Sequence, residues 1–225
     1  MFIKICGITN ADDALLATAL GADGLGFIMA PSPRQVAPPR VEEIVRRLPS
    51  GVLTVGVFKD EAPSRVIEIV NRCGLKAAQL SGRESMEDTR LIRESVPAVI
   101  KAFPGGSPAL SVADRYGADI VMVDSDTPGS GRVFDWSLAE GAPGGIRLLM
   151  AGGLTPENVA TAIAKVRPWG VDVATGVEMS PGRKDPALLR AFINAAREAD
   201  PERGEATEEE SDEDAPYNWQ EEGLR

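Results

Sequence analysis

The sequence predicts an α/β protein that folds as a single (β/α)₈ barrel, and three observations favour this prediction. About eight short apolar segments alternate with about eight amphipathic segments, at even spacing, over most of the chain. No Gly-x-Gly-x-x-Gly turn follows the first strand, as an open dinucleotide-binding sheet would require. Apolar residues make up 43% of the 225-residue chain, enough for one large core. An open doubly wound sheet is the alternative.

The predicted strands are short apolar runs bounded by glycine, proline or polar residues. The first covers 2–5 and brings Cys6 to its end, where Gly7 breaks the run and Thr9-Asn10 offer a helix N-cap. The other seven are predicted over 24–29, 52–58, 76–80, 98–103, 119–123, 146–150 and 169–173.

The predicted helices carry apolar residues three or four positions apart, or open with proline in the first turn. Ile44, Val45 and Leu48 are one such set, and Pro156 opens a later helix. The eight helices are predicted over 11–20, 41–48, 63–73, 85–95, 109–116, 134–140, 156–166 and 185–197.

The charge is concentrated at the C-terminus. The chain has a formal net charge of −10, and residues 201–225 hold ten acidic and two basic residues. So charged a segment cannot bury a core. We therefore expect a barrel domain over 1–199 and a disordered acidic tail over 200–225, which serves as a solvated appendage or as an interaction segment built on Tyr217 and Trp219.

The composition excludes several classes of protein. The near-neutral barrel and acidic tail argue against nucleic-acid binding, which needs a basic surface. Two cysteines form no secreted disulfide framework. No leader peptide and no apolar run of ~20 residues is present, so we expect a soluble cytoplasmic protein that binds no membrane. Histidine is absent, so acid–base chemistry requires other side chains.

The expected active site lies at the C-terminal ends of the strands, which meet at one rim of a barrel. Cys6 ends strand one, Arg34 follows strand two, and Asp124 ends the apolar strand six. A buried cysteine is also a common core residue. Asp126 competes with Asp124, and Arg34 is either a solvated charge or a guanidinium shaped to grip a carboxylate.

Glycines follow strands seven and eight, where barrels commonly bind phosphate. Such residues let backbone N–H groups approach a ligand, although they also make tight turns. The loops contain Gly152, Gly153, Thr175 and Gly176.

The strand pleat places Lys4 on the same face as Cys6. Asp172 on strand eight and Lys101 on strand five are further candidates for a paired polar layer under the rim, because unpaired buried charge is costly. A neighbouring ammonium would lower the pKa of the Cys6 thiol, although packing alone also accounts for the lysines.

These residues resemble the phosphoribosylanthranilate isomerase family of tryptophan biosynthesis. The opening Lys4-Ile5-Cys6-Gly7-Ile8-Thr9 resembles the family's first motif. Further matches follow in order over residues 2 to about 197: Ser32-Pro33-Arg34, Val55-Gly56-Val57-Phe58, Gln79-Leu80, Gly129-Ser130-Gly131, Phe134-Asp135-Trp136, Ala151-Gly152-Gly153-Leu154, Pro156-Glu157-Asn158-Val159, Val171-Asp172-Val173 and Gly176-Val177-Glu178.

The resemblance implies an Amadori rearrangement of a phosphosugar without cofactor or metal. It implies Cys6 as general base and Asp124 as general acid. Arg34 would hold the anthranilate carboxylate, and Asp172 would face the substrate amine. Gly153, Thr175 and Gly176 would bind phosphate. We expect a monomer, with a homodimer as the alternative.

The chain departs from the family at Ser81, where the family usually has histidine. The loop from Asp124 to Phe134 is also shorter than usual, which predicts looser closure over the substrate. Two rival interpretations are a non-catalytic phosphosugar-binding barrel and a broader isomerase that also accepts an aminoimidazole substrate of histidine biosynthesis. The presence of both Cys6 and Asp124 argues against the first.

Overall fold

The computed structural model describes residues 1–124 and 141–200 of the chain. Eight parallel strands close into a barrel in sequence order, with β1 hydrogen-bonded to both β2 and β8. This closure confirms the barrel and rules out the open sheet. The strands are β1 (Phe2–Cys6), β2 (Gly24–Ile28), β3 (Leu53–Phe58), β4 (Ala77–Leu80), β5 (Val99–Pro104), β6 (Ile120–Asp124), β7 (Leu148–Met150) and β8 (Gly170–Val173). A two-stranded hairpin follows, β9 (Glu178–Ser180) with β10 (Arg183–Lys184).

Helices connect the strands on the outside of the barrel. They are α1 (Ala11–Ala19), α2 (Pro38–Val45), α3 (Pro63–Cys73), α4 (Met86–Arg93), α5 (Val159–Val166) and α6 (Pro186–Glu198). The helix predicted over 109–116 is a 3₁₀ helix (Pro108–Tyr116), interrupted at Val112, where φ is −123°. The predicted helix at 134–140 lies outside the described residues, as does the predicted disordered segment beyond residue 200.

Local sequence signals place the helix ends. Asn10 caps α1 by accepting the backbone N–H of Asp13 at 2.9 Å, so the predicted cap at Thr9-Asn10 is confirmed. The helix predicted from residue 156 begins later, at Val159. Asn158 explains the delay, because its side chain accepts from the Thr155 N–H and donates to the Gly153 carbonyl.

The pleat divides the strand residues between two cores. One cluster draws all its fully buried members from β3 to β7 and the residue after β7, so it fills the barrel interior: Val55, Ala77, Ile100, Ala102, Ile120, Met122, Leu149 and Ala151. Phe2 packs against this cluster, and the alternation of side chains therefore carries Lys4 and Cys6 into the interior above it. The larger core lies between the strands and the helices.

Both ends of the described chain meet at the bottom of the barrel. The Met1 ammonium binds Asp200, and Arg197 donates to Asp23 at 2.7 Å. Phe2 stacks on Trp169 with ring centroids 4.5 Å apart. None of the described helices has the length and apolar character needed to cross a membrane.

Candidate active site

Two adjoining cavities open at the C-terminal rim, and Asp124 lines both. The smaller, of 40 Å³, is formed by Asp124, Asp172 and the loops after β7 and β8, including Gly152, Gly153 and Thr175. The larger, of 650 Å³, extends over β4 and β5, where Ser81, Phe103 and Tyr116 contribute. The predicted acid and the predicted phosphate loops therefore line the same small cavity. Asp126 lies outside the described residues.

Lys4 and Asp172 form a buried ion pair under this rim. Lys4 Nζ lies 2.8 Å from Asp172 Oδ1, across the β1–β8 register that sets these two residues opposite each other. Burial alone would lower the pKa of Lys4, but Asp172 and then the Cys6 thiol outweigh it, so the pKa of Lys4 is raised. The predicted polar layer is confirmed for this pair.

Lys101 does not belong to that layer. It lies between Ile100 and Ala102, which face the barrel interior, and so its side chain leaves the outer face of β5. There Nζ donates to Glu84 Oε2 at 2.7 Å and to the carbonyls of Leu80 and Gly82. The expectation that Lys101 joins the layer under the rim is wrong, and its role is to hold the loop after β4.

Gly26 makes room for the Cys6 thiol and the Lys4 ammonium. A Cβ built on Gly26 would lie 2.8 Å from Cys6 Sγ and 3.1 Å from Lys4 Nζ. The first distance is shorter than real Cβ contacts and the second is tight, so a side chain opposite Cys6 in the β1–β2 register would displace the thiol or the ammonium. Sequence reasoning missed this residue, because a glycine inside a strand also occurs at bulges and at sharp bends of the chain.

The pKa of the Cys6 thiol is raised above its ordinary value. Burial raises its pKa, while the ammonium groups of Lys4 and Lys184 pull in the opposite direction without overcoming the burial. The hypothesis that Lys4 would leave Cys6 with a lowered pKa is therefore wrong in its net result. Lys4 exerts the expected pull, but the 6% exposure of Cys6 makes desolvation the larger effect.

Arg34 is buried and already holds a carboxylate. Its Nε donates to both oxygens of Glu178 at 2.9 and 3.0 Å, and its Nη2 donates to Oε2 at 2.8 Å. Gly7 fits this arrangement, because its φ is +75° and a Cβ there would lie 2.8 Å from Arg34 Cδ. Arg34 is thus a fixed guanidinium beside the turn that follows Cys6, not a solvated loop charge.

Lys184 is a site residue that sequence reasoning missed. Its buried Nζ donates to the Cys6 carbonyl at 2.6 Å, to the Ala174 carbonyl at 2.9 Å and to Glu178 Oε1 at 3.1 Å. Burial lowers the pKa of Lys184, an effect that Glu178 partly opposes. Nothing in the sequence separates this lysine from an exposed one, since its position depends on how the β9–β10 hairpin folds back over β1.

The glycine loops after β7 and β8 approach each other closely. Gly152 and Gly153 have φ values of +91° and +68°, a conformation that favours glycine. A Cβ on Gly176 would lie 1.9 Å from the Leu154 carbonyl oxygen, so the two loops pack backbone against backbone. The tight turns are real, and they bring backbone groups of both loops to one cavity.

Two neutral polar side chains, Gln79 and Ser81, lie at the end of β4. Gln79 Nε2 donates to Ser81 Oγ at 3.1 Å. Gln79 Oε1 is buried without a hydrogen-bond partner among the described residues. Ser81, where the chain departs from the family pattern, therefore accepts a hydrogen bond from Gln79 of β4. The described residues contain no cluster of His, Cys, Asp or Glu that could hold a metal ion.

Comparison with known proteins gives a consistent result. A model of the family described as N-(5'phosphoribosyl)anthranilate (PRA) isomerase matches residues 3–195. A relative from Desulforudis audaxviator, named N-(5'-phosphoribosyl)anthranilate isomerase, is 50% identical over 204 residues, which cover 88% of this chain and 98% of the relative. The crystal structure of the Thermus thermophilus phosphoribosyl anthranilate isomerase aligns with a TM-score of 0.83 and 40% identity, over 88% of this chain and 99% of that one.

A third similar structure contains a ligand. It is a phosphoribosyl anthranilate isomerase in complex with reduced 1-(o-carboxyphenylamino)-1-deoxyribulose 5-phosphate, with a TM-score of 0.78, 38% identity, and coverage of 88% of this chain and 99% of that one. The matched motifs, the closed barrel and these similarities agree, and the chain belongs to the N-(5'-phosphoribosyl)anthranilate isomerase family of tryptophan biosynthesis.

Proposed function

We propose that this protein converts N-(5-phosphoribosyl)anthranilate to 1-(2-carboxyphenylamino)-1-deoxyribulose 5-phosphate, with Asp124 as general acid and Cys6 as general base. The observation that carries the proposal is that Asp124, Asp172 and the glycine loops line one cavity, and Asp172 is linked through Lys4 to Cys6. The catalytic part is the barrel domain of residues 1–199, and it acts in the cytoplasm without a cofactor.

The first chemical step opens the ribose ring. Asp124 donates a proton to the ring oxygen, the bond from C1′ to that oxygen breaks, and the nitrogen lone pair forms a C=N bond to C1′. The carboxyl group thereby becomes a carboxylate and the substrate becomes a positively charged iminium. An aspartic acid at the edge of two cavities can reach both substrate and solvent, which lets it be protonated again.

The second step removes a proton from C2′. The electrons of that C–H bond form the C1′=C2′ bond and the iminium becomes neutral. The resulting enol gives the ketone when its C2′ hydroxyl loses a proton to solvent and C1′ gains one. Cys6 first gives its thiol proton to solvent, and the thiolate then takes the C2′ proton and becomes a thiol again. The iminium charge favours the ionised thiol, because a nearby positive charge offsets the burial that raises the pKa of Cys6.

The remaining site residues bind the ends of the substrate. We assign the phosphate to the backbone of Gly152, Gly153, Thr175 and Gly176, where the two loops converge without intervening side chains. Asp172 faces the substrate amine with the oxygen that Lys4 does not use.

Arg34 binds the anthranilate carboxylate. Glu178 occupies Nε and Nη2, and within the described residues Nη1 has no recorded acceptor. Arg34 therefore offers the substrate one amino group, in a position already fixed by Glu178.

The test is a fluorescence assay for the disappearance of phosphoribosylanthranilate with the purified full-length chain. Turnover that is lost in both Cys6→Ser and Asp124→Asn would support the proposal. A protein that binds a product analogue but never turns substrate over would be a phosphosugar-binding barrel instead. A parallel assay with the aminoimidazole substrate of histidine biosynthesis tests the broader isomerase.

A further inference from the structure

We infer that Lys184 is a positioning residue for Cys6 and Arg34, and that it supplies the net positive charge of the substrate-carboxylate end of the site. This inference rests on the proposed function and extends it to a residue that makes no contact with the reacting atoms. It follows from the hydrogen bonds of one buried ammonium group, from its burial and from the charge balance of the groups around it.

The ammonium joins three parts of the rim. It donates to the Cys6 carbonyl at the end of β1, to the Ala174 carbonyl after β8, and to Glu178 at the start of β9. Three donors on one buried nitrogen thus have three acceptors, which satisfies the group fully. The hydrogen bond from Lys184 to the Cys6 carbonyl fixes the backbone of Cys6. The direction of the Cys6 side chain depends on that backbone.

The charge balance gives Lys184 a second role. A bidentate Arg34–Glu178 pair is neutral as a unit and would attract a substrate carboxylate only weakly. Lys184 contacts the same Glu178 carboxylate and leaves the three side chains with one net positive charge. The Lys4–Asp172 pair is neutral. Asp13 binds the backbone N–H of Lys184 at 2.9 Å and has no recorded contact with its ammonium.

Lys184 also acts on the Cys6 thiol through its charge. Its charge is among the influences that lower the pKa of Cys6, after that of Lys4. The two ammonium groups reach Cys6 from different elements, Lys4 from β1 itself and Lys184 from β10. At 3% exposure for Lys184, solvent screens its charge little.

The test is the pH dependence of Cys6 alkylation by iodoacetamide, followed by mass spectrometry of the Cys6 peptide in the full-length protein. In Lys184→Met the alkylation midpoint should rise by about one pH unit or more, KM should rise, and kcat at neutral pH should fall in proportion to the thiolate fraction. Lys184→Arg, which keeps the charge, should restore the midpoint toward the wild-type value.

Lys101→Met is the matched control, because it removes an equally buried ammonium from the outer face of β5. It should destabilise the protein without moving the Cys6 midpoint. Lys184→Gln, which keeps a donor but not the charge, replaces Lys184→Met if that variant does not fold. A midpoint equal to wild type in either folded neutral variant would overturn the inference. Alkylation needs no turnover, so an inactive wild-type protein would contradict the proposed function and leave this test intact.

Discussion

Lys4 and Lys101 look alike in the sequence and do different work in the structure. Each is a lysine inside an apolar strand, each is almost fully buried, and each binds one carboxylate at 2.7 to 2.8 Å. Lys4 lies inside the barrel beside Cys6, whereas Lys101 lies outside it and holds a loop. The comparison shows that a buried ion pair indicates a catalytic site only when its position relative to the barrel is known.

The largest expected difference between the two lysines is in turnover. Lys4→Met removes the ammonium nearest the thiol and leaves Asp172 unpaired, so kcat should fall by about 10²–10⁴-fold, the usual worth of general acid–base catalysis. Lys101 also lines the larger cavity but leaves the outer face of β5, so Lys101→Met should lower kcat far less than Lys4→Met does. Each change breaks a buried pair and should cost about 3–5 kcal/mol of unfolding free energy. Thermal melts measure the loss of stability in both variants, and steady-state kinetics measure the loss of kcat. Equal losses of kcat would contradict the claim that Lys4 acts in catalysis and Lys101 does not.

The phosphate loops provide the next test. Gly153→Asp should place a carboxylate against the phosphate and raise KM by about 10–100-fold, since hydrogen bonds to charged groups are worth about 1.5–3 kcal/mol. Gly145→Asp is the matched control, because Gly145 is exposed, has open space around its Cα and shares the positive φ, at +81°. Steady-state kinetics of both variants checks this. An unchanged KM in Gly153→Asp would place the phosphate elsewhere.

A third test uses the acid stability of the Arg34–Glu178–Lys184 group. Burial alone would raise the pKa of Glu178, but Arg34 and Lys184 outweigh it and the pKa lies below its ordinary 4.5. The stabilisation is therefore present above about pH 4.5 and is lost as the pH falls through the lower folded-state value.

Melting temperatures recorded from pH 6 down to about pH 3 should fall more steeply for wild type than for Glu178→Gln. Glu43→Gln serves as the control, because Glu43 also has a lowered pKa but lies exposed in a surface ion pair. Parallel curves for wild type and Glu178→Gln would show that the buried group contributes no pH-dependent stability.

The smallest effect is expected for the tail. Asp200 binds the Met1 ammonium, so the truncation is best made after Asp200. Removing 201–225 should change the unfolding free energy by less than about 0.5 kcal/mol and leave kcat unchanged. A larger loss of stability or activity would show that Tyr217 or Trp219 docks on the barrel.

The sequence predicted the parts that depend on local pattern. The strands, the cap at Asn10 and the gathering of Asp124 and Asp172 at one rim follow from periodicity and from the geometry of parallel barrels. The sequence did not predict on which side of β5 Lys101 lies. A strand that is buried on both faces is apolar at every position, so its pattern does not show which residues point into the barrel.

Tertiary contacts account for what the sequence could not predict. Lys184 reaches Cys6 across 178 positions of sequence. The hydrogen bonds from Arg34 to Glu178 join residues 144 positions apart. Glu178 stands in one of the matched motifs, but that motif does not show which residue it binds. The net pKa of Cys6 depends on how deeply the thiol is buried, and the sequence gives neighbours but not burial.

The most direct test of the account is the kcat of Cys6→Ser beside its affinity for a product analogue. Serine keeps the shape of cysteine but is a far weaker acid, so almost no anion is available to take the C2′ proton. We expect kcat to fall by at least about 10²–10⁴-fold, with analogue binding close to wild type and iodoacetamide inactivating only the wild type. A Cys6→Ser enzyme that retains most of the wild-type kcat would contradict the thiolate mechanism.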